Sequence, residues 1–172
     1  SCSQLNRKKR EIESSLRDKY GEYNRKDFSN IEVIQAYRRY YKRFKKSYHV
    51  QLQIESIVLK DKSLPDVSVL VDANFMAEMK SMVLTAGHDA DLLVHPVRID
   101  VTKKDDSFVR MNGKQKVLRP DDMMMRDGKG IVCTIIYGQD LRTVISKKTR
   151  RALYVAYAPD GVPKQNVHEQ LD

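Results

Sequence analysis

Residues 85–91 form a polar segment directly after an apolar helical pattern. The imidazole of His88 titrates near neutral pH, so this histidine is a candidate proton shuttle or hydrogen-bond donor. Asp89 and Asp91 follow it and could orient the imidazole or contact a ligand. In the alternative interpretation, the histidine caps the end of the helix and the aspartates begin an ordinary turn.

A second polar segment, residues 137–143, follows the most apolar predicted strand. Gly138 lets a ligand approach the backbone closely. Asp140 and Arg142 could bind an ammonium group and a carboxylate or phosphate respectively. A salt bridge between Asp140 and Arg142 across an ordinary loop would explain the same pair, and the sequence does not separate the two interpretations.

Basic residues are concentrated at the start of the chain. Residues 1–47 contain 14 Lys or Arg against 6 Asp or Glu, the rest contains 18 against 17, and the formal net charge is +9. A clustered basic surface attracts phosphate backbones by releasing counterions, although solvated helix faces have the same composition. The candidate RNA-binding residues lie on one predicted helix and in the basic segment 146–151: Arg38, Arg39, Lys42, Arg43, Lys147, Arg150 and Arg151.

Several classes of site are disfavoured by what the sequence lacks. It has no GxxxxGK[ST], GxGxxG or GxSxG motif, and no CxxC or HExxH spacing, so we expect no cofactor and no metal. Two cysteines far apart in sequence suit a reducing cytosol. The apolar stretches fall far short of the roughly 20 residues that cross a bilayer, so we expect a cytoplasmic protein without a membrane partner.

Apolar residues at steps of three and four predict four helices in the first half. The first begins after Ser3 and ends near Gly21, and the second is capped by Asn30 and runs to about residue 46. The third and fourth cover residues 50–59 and 67–84.

The pattern becomes extended from Pro96 onward. Strands are predicted at residues 97–101, 122–126, 130–137 and 152–158, with a hairpin of 108–111 and 116–118 around Asn112 and Gly113. Helices followed by strands indicate an α+β fold in one domain, residues 1–172, with helices packed on a mainly C-terminal antiparallel or mixed sheet.

The second half of the chain resembles the B3/4 domain of phenylalanyl-tRNA synthetase beta subunits and its free-standing relatives. The resemblance lies in the order and spacing of a set of residues. The resemblance covers roughly residues 30–163, preceded by a helical extension, 1–29, and followed by a tail, 164–172. Free-standing relatives begin with a strand, so we expect that an N-terminal segment is missing. The matching residues are Asn112, Gly113, Leu118, Asp122, Met123, Asp127, Gly130, Gly138, Asp140, Thr149 and Leu153, with further counterparts in 36–38, 70–73 and 157–162.

The resemblance implies a β-sandwich-like core and a pocket for an aminoacyl group on a tRNA end. In synthetases the domain hydrolyses tyrosine wrongly attached to phenylalanine tRNA. His88 falls at a family histidine and Gly138 at a glycine turn, whereas Gln139 or Asp140 stands where the family has glutamate. The altered spacing and the lack of a downstream threonine segment leave hydrolysis open.

The predicted function is therefore binding of tRNA or an aminoacyl-tRNA end, with hydrolysis of misacylated tRNA left open. The alternative is a non-catalytic module that binds an amino acid or a similar small metabolite. We expect the segments around positions 88 and 140 to form the rim of one cleft. The predicted catalytic residues are His88 and Asp140, and the predicted substrate-binding residues are Asp89, Asp91, Tyr137, Gly138, Gln139, Arg142 and Thr149.

Overall fold

The computed structural model describes residues 2–171. The chain forms two compact units. One unit contains the residues up to Leu84 together with those from Ala158 onward, and it is helical. The other unit, Thr85–Tyr157, contains the strands.

The described residues of the helical unit form six helices. They are α1 (Cys2–Tyr20), α2 (Arg25–Asn30), α3 (Glu32–Arg43), α4 (His49–Lys60), α5 (Val69–Ser81) and α6 (Lys164–Leu171). The predicted helices in the first half correspond to α1, α3, α4 and α5, because their apolar stripes have the helical period. The predicted end of the last one at residue 84 is wrong, since α5 ends at Ser81.

The cap predicted at Asn30 is also wrong. Asn24 is the residue that caps a helix here, because its Oδ1 accepts hydrogen bonds from the backbone N–H groups of Lys26 and Asp27 at 2.8 and 3.3 Å. The Asp27 carboxylate accepts the N–H of Asn24 at 2.8 Å, which completes a capping box. Asn30 is instead the last residue of α2, and the extended Ile31 separates α2 from α3.

Two stacked tyrosines lie at the centre of the helical unit. The rings of Tyr37 and Tyr48 are 4.1 Å apart and nearly parallel, and both side chains are almost completely buried. The hydroxyl of Tyr37 accepts the N–H of Leu84 at 2.9 Å, and that of Tyr48 donates to the carbonyl of Met82 at 2.8 Å. A buried hydroxyl needs a hydrogen-bond partner, and both tyrosines find theirs in the segment after α5. The two bonds therefore connect that segment to α3 and to the start of α4.

A helix occupies the segment that was predicted to be a tail. In α6, Asn166 donates to the carbonyl of Ser81 at 2.9 Å, and the Ser81 hydroxyl donates to Gln170 at 2.5 Å. These bonds fasten α6 to the end of α5.

The strand unit consists of three antiparallel pieces. Strands β1 (Thr85–Asp89) and β8 (Ala152–Ala156) pair with each other. Strands β2 (Arg98–Val101), β5 (Met123–Asp127), β6 (Gly130–Thr134) and β7 (Gly138–Gln139) form a four-stranded sheet in that order. The predicted hairpin is β3 (Ser107–Val109) with β4 (Gln115–Val117), and its turn places Gly113 at a φ of 75°.

The segment 85–91 is not a helix-terminating loop, so the interpretation of His88 as a helix cap is wrong. Met82 ends α5 in a left-handed conformation with a φ of 61°, and the chain enters β1 three residues later. Strand β1 pairs with β8 along its whole length, and this pairing holds the segment extended. The paired residues run from Thr85 opposite Ala156 to Asp89 opposite Ala152.

Helices in the first half and antiparallel strands in the second confirm the predicted α+β class. Across the described residues, no helix combines the length and the apolar character needed to cross a membrane.

Candidate functional site

His88 lies in β1 and is completely buried. Its Nδ1 is 2.8 Å from the hydroxyl of Thr143, and that hydroxyl donates to a carboxylate oxygen of Asp140 at 2.5 Å. Since the hydroxyl proton goes to the carboxylate, Nδ1 of His88 carries the proton and donates to Thr143. Gln139 joins the same cluster by donating to the carbonyls of Gly87 and Thr143 at 2.7 and 3.1 Å.

The protonation of this buried cluster follows from its surroundings. Burial, helped by the nearby positive charge of Arg142, lowers the pKa of His88 to about 4. Burial raises the pKa of Asp140, although hydrogen bonds from Thr143 oppose the change. The histidine is therefore neutral near pH 7. Its Nε2 has no hydrogen-bond partner among the described residues.

Arg142 is paired mainly with Asp127. Its two terminal nitrogens donate to the two carboxylate oxygens of Asp127, each at 2.9 Å, whereas its Nε is 3.7 Å from Asp140. Burial opposes ionisation of Asp127, but hydrogen bonds from Arg142 and from the N–H groups of Val94 and Lys129 outweigh it and lower the pKa. The guanidinium thus holds β5 to the segment after β7.

The other predicted substrate-binding residues are also engaged in contacts within the strand unit. Asp89 accepts the Thr149 hydroxyl at 2.6 Å, and Asp91 is ion-paired with Arg151. The ring of Tyr137 lies under the ammonium group of Lys116 at 5.2 Å. Gly138 is exposed and has a φ of 79°, while Lys147 and Arg150 are exposed near the Ser146 turn.

The segments around positions 88 and 140 therefore come together, whereas the sequence analysis predicted that they form the rim of a cleft. They meet through buried hydrogen bonds, and the side chains of His88, Thr143 and Asp140 are 0%, 0% and 5% exposed. In this conformation a ligand does not reach them. The catalytic and substrate-binding roles remain predictions.

A hollow with the volume of a small-molecule site lies in the helical unit. Its volume is about 560 Å³, within the range of about 300–1,000 Å³ typical of ligand pockets. We call it the basic hollow, because six of its lining side chains are cationic and one is anionic. Its lining residues come from α2, α3, the turn after α3 and α4: Arg25, Gln35, Arg38, Arg39, Lys42, Lys45, Lys46, Ser47, Tyr48, Gln51, Leu52 and Glu55.

Most of the cations in the basic hollow have no acidic partner. Within residues 2–171, no carboxylate lies within ion-pair distance of five of them, namely Arg38, Arg39, Lys42, Lys45 and Lys46. All five are exposed. Their positive potential is thus directed at the hollow and at solvent.

The backbone of Gly161 lies close to the guanidinium of Arg39. This glycine has a φ of 87°, and a Cβ built on it would lie 2.5 Å from Nη2 of Arg39. Only glycine both accepts that backbone conformation and leaves the guanidinium in place.

Sequence reasoning found three residues of the hollow and missed others. Arg38, Arg39 and Lys42 were predicted to bind RNA and line it. Arg43 does not, because its guanidinium lies over the rings of Tyr40 and Phe44 at 5.2 and 5.5 Å. The missed charged residues are Arg25, Lys45, Lys46 and Glu55.

A sequence model of a protein family, described as the B3/4 domain, matches residues 35–169. The match begins within α3 and extends into α6. No curated protein matches the chain at a significant level.

Proposed function

Since the chain belongs to the B3/4 domain family, we propose that it is an RNA-binding domain whose basic hollow contacts the phosphates of a tRNA or an aminoacyl-tRNA end. The observation that carries the proposal is the hollow itself, in which six cationic side chains converge with one carboxylate. Phosphate is the biological anion that such a surface attracts most generally.

The arrangement of charges favours a polyanion over a single small acid. The one carboxylate, Glu55, is paired with Arg25 at 3.0 Å, so it offsets one cation and leaves an excess of five positive charges in the hollow. An amino acid offers one carboxylate and brings an ammonium group that the surrounding cations repel. An RNA offers several phosphates, and it gains affinity from each counterion that they release.

Hydrolysis of a misacylated tRNA is a finer prediction and is not needed for this proposal. The amides near Gly138 could stabilise an oxyanion, but His88 and Asp140 are buried. Hydrolysis would therefore require a conformational change that brings these side chains to the substrate.

Replacing two cations of the hollow tests the proposal. We expect Arg39→Ala combined with Lys42→Ala to weaken the binding of an uncharged tRNA about tenfold or more, because two phosphate contacts are lost. Fluorescence anisotropy with labelled tRNA at fixed salt measures the dissociation constant.

The matched control carries the same change of net charge elsewhere. Lys8→Ala combined with Arg10→Ala removes two exposed cations from α1, outside the hollow. If the two double variants bound tRNA equally well, net charge rather than the hollow would account for binding, and the proposal would be rejected.

A further inference from the structure

The wall of the basic hollow contains a buried carboxylate, and a negative charge is unexpected in a site that attracts anions. Glu55 is 2% exposed, and its negative charge opposes anion binding by Coulomb repulsion. Its two oxygens accept hydrogen bonds from Nε of Arg25 at 3.0 Å and from Nε2 of Gln51 at 2.7 Å. The carboxylate therefore holds one arginine of the hollow and orients a neighbouring amide.

Gln51 extends this arrangement to a second arginine. Nη1 of Arg38 donates to the hydroxyl of Ser29 at 2.8 Å and lies 3.5 Å from Oε1 of Gln51. The amide of Gln51 is itself 4% exposed and is fixed by Glu55. Two guanidinium groups are thus placed in the hollow by one buried pair.

Both arginines keep donors for a ligand. A guanidinium carries five N–H donors in a rigid plane. Arg25 uses its Nε and Arg38 uses its Nη1 in the contacts above, and both side chains line the hollow. Planar donors held in place in this way suit the oxygens of a phosphate better than a flexible ammonium group does.

We propose that the basic hollow binds a terminal phosphate monoester of RNA, and that Glu55 and Gln51 are positioning residues that hold Arg25 and Arg38 for it. This inference rests on the proposed RNA-binding function. A monoester carries a charge of about −1.5 to −2 and three acceptor oxygens, which suits cations converging from several helices on one hollow. An internal phosphodiester carries a single charge and is flanked by two sugars, so it suits an open track instead.

The first test compares three short RNAs of one sequence, with a phosphate at the 5′ end, at the 3′ end or at neither end. We expect one phosphorylated form to bind about tenfold more tightly than the unphosphorylated RNA, because it adds charge-assisted hydrogen bonds. Inorganic phosphate should compete with it more strongly than chloride at the same ionic strength.

The outcomes separate this inference from the function on which it rests. Equal affinity for all three RNAs would overturn the terminal-phosphate site and leave RNA binding intact. Failure of all three RNAs and of tRNA to bind would overturn the RNA-binding function itself. Competition by chloride equal to that by phosphate would also contradict a phosphate site.

Glu55→Gln tests the positioning role, since it removes a negative charge from the hollow. If the carboxylate acted only through its charge, binding of the phosphorylated RNA would tighten. We expect the preference for the phosphorylated RNA to fall below about twofold instead, because Arg25 loses its charged partner. Tighter binding with the preference retained would overturn this role.

Circular dichroism would detect a Glu55→Gln variant that does not fold. In that case a variant at an exposed position tests whether the planar arginine donors are needed for the phosphate preference. Arg38→Lys keeps the charge and removes the planar donor set, and Arg38 is on the surface. We expect it to lose most of the preference, whereas Arg10→Lys on the exposed face of α1 should retain it. An Arg38→Lys variant with the full preference would contradict the proposal.

Discussion

His88 illustrates how burial decides what a titratable side chain does. It is completely buried, its imidazole lies in the field of Arg142 and Asp127, and its pKa falls to about 4. A neutral imidazole with its proton on Nδ1 donates to Thr143 and so connects β1 to the segment that holds Asp140. In this conformation the histidine stabilises the strand unit.

This burial predicts a loss of stability in mild acid. The unfolded chain takes up the proton near the ordinary pKa of 6.5, whereas the folded chain resists it until about 4. The unfolded state therefore binds more protons between these values, and stability falls as the pH drops through that window. We expect His88 to contribute a loss of about 2–3 kcal/mol between pH 7 and pH 4.5.

Urea unfolding of the wild type and of His88→Gln at the two pH values measures this contribution. The variant keeps a side chain with hydrogen-bonding capacity and has no proton to take up, so its loss between the two pH values should be smaller by that amount. Acid effects on carboxylates away from His88 are present in both proteins and cancel in the comparison. Equal losses would show that His88 is not held neutral.

Single residues of the basic hollow were predictable only where the helix that carries them was predicted. Arg38, Arg39 and Lys42 follow from the polar face of α3. Arg25 lies in α2, which the sequence reading did not separate from its surroundings. Glu55 lies on the buried side of α4 together with Gln51 and Ile54. Helical periodicity predicts which residues share a face of a helix, but it does not predict the neighbouring helix that this face contacts.

At the scale of elements, a buried lysine connects α1 to the start of α5. Lys9 is 4% exposed and donates to Asp66 at 2.5 Å, to Asp72 at 2.7 Å and to the carbonyl of Pro65 at 2.7 Å. Burial opposes its charge, but the two carboxylates outweigh burial and raise the pKa of Lys9. Asp72 is also buried, so each charge depends on the other.

Removing the lysine should therefore destabilise the helical unit strongly. We expect Lys9→Met to lower the free energy of unfolding by about 3–5 kcal/mol, because it leaves the Asp72 carboxylate buried without its partner. Chemical denaturation measures the change. Lys8→Met, at the neighbouring exposed position, should change stability by less than about 0.5 kcal/mol.

A second variant separates the ion pair from packing. Combining Lys9→Met with Asp72→Asn removes both charges, so much of the stability should return. A double variant no more stable than Lys9→Met alone would show that the pairing of the two charges is not the cause.

The elements that were predicted correctly are those with strong local patterns. The long helices have apolar residues at helical steps, and the β3–β4 hairpin has an Asn-Gly turn. Strand β1 was missed because it contains Gly87 and Asp89, which have low strand propensity, and because its partner β8 lies more than 60 residues away in sequence. Helix α6 was missed because contacts with Ser81 and Lys80 hold it in place.

At the scale of the whole molecule, the unequal distribution of charge is the feature that sequence and structure share. Residues 1–47 carry most of the excess positive charge, and helices α2 and α3 place part of it around the basic hollow. The excess of positive charge is visible in the sequence itself, and the α+β class was predicted from it. The sequence did not predict that the cations surround a hollow, since that depends on how α2, α3 and α4 pack.

The salt dependence of tRNA affinity tests the central claim most directly. Five cations of the hollow have no acidic partner, and each phosphate contact contributes about −0.7 to −0.9 to the slope of log K against log salt. The wild type should therefore show a slope of about −3.5 to −4.5. The Arg39→Ala, Lys42→Ala variant should show a slope shallower by about 1.5. A tRNA affinity that does not change with salt would contradict the account.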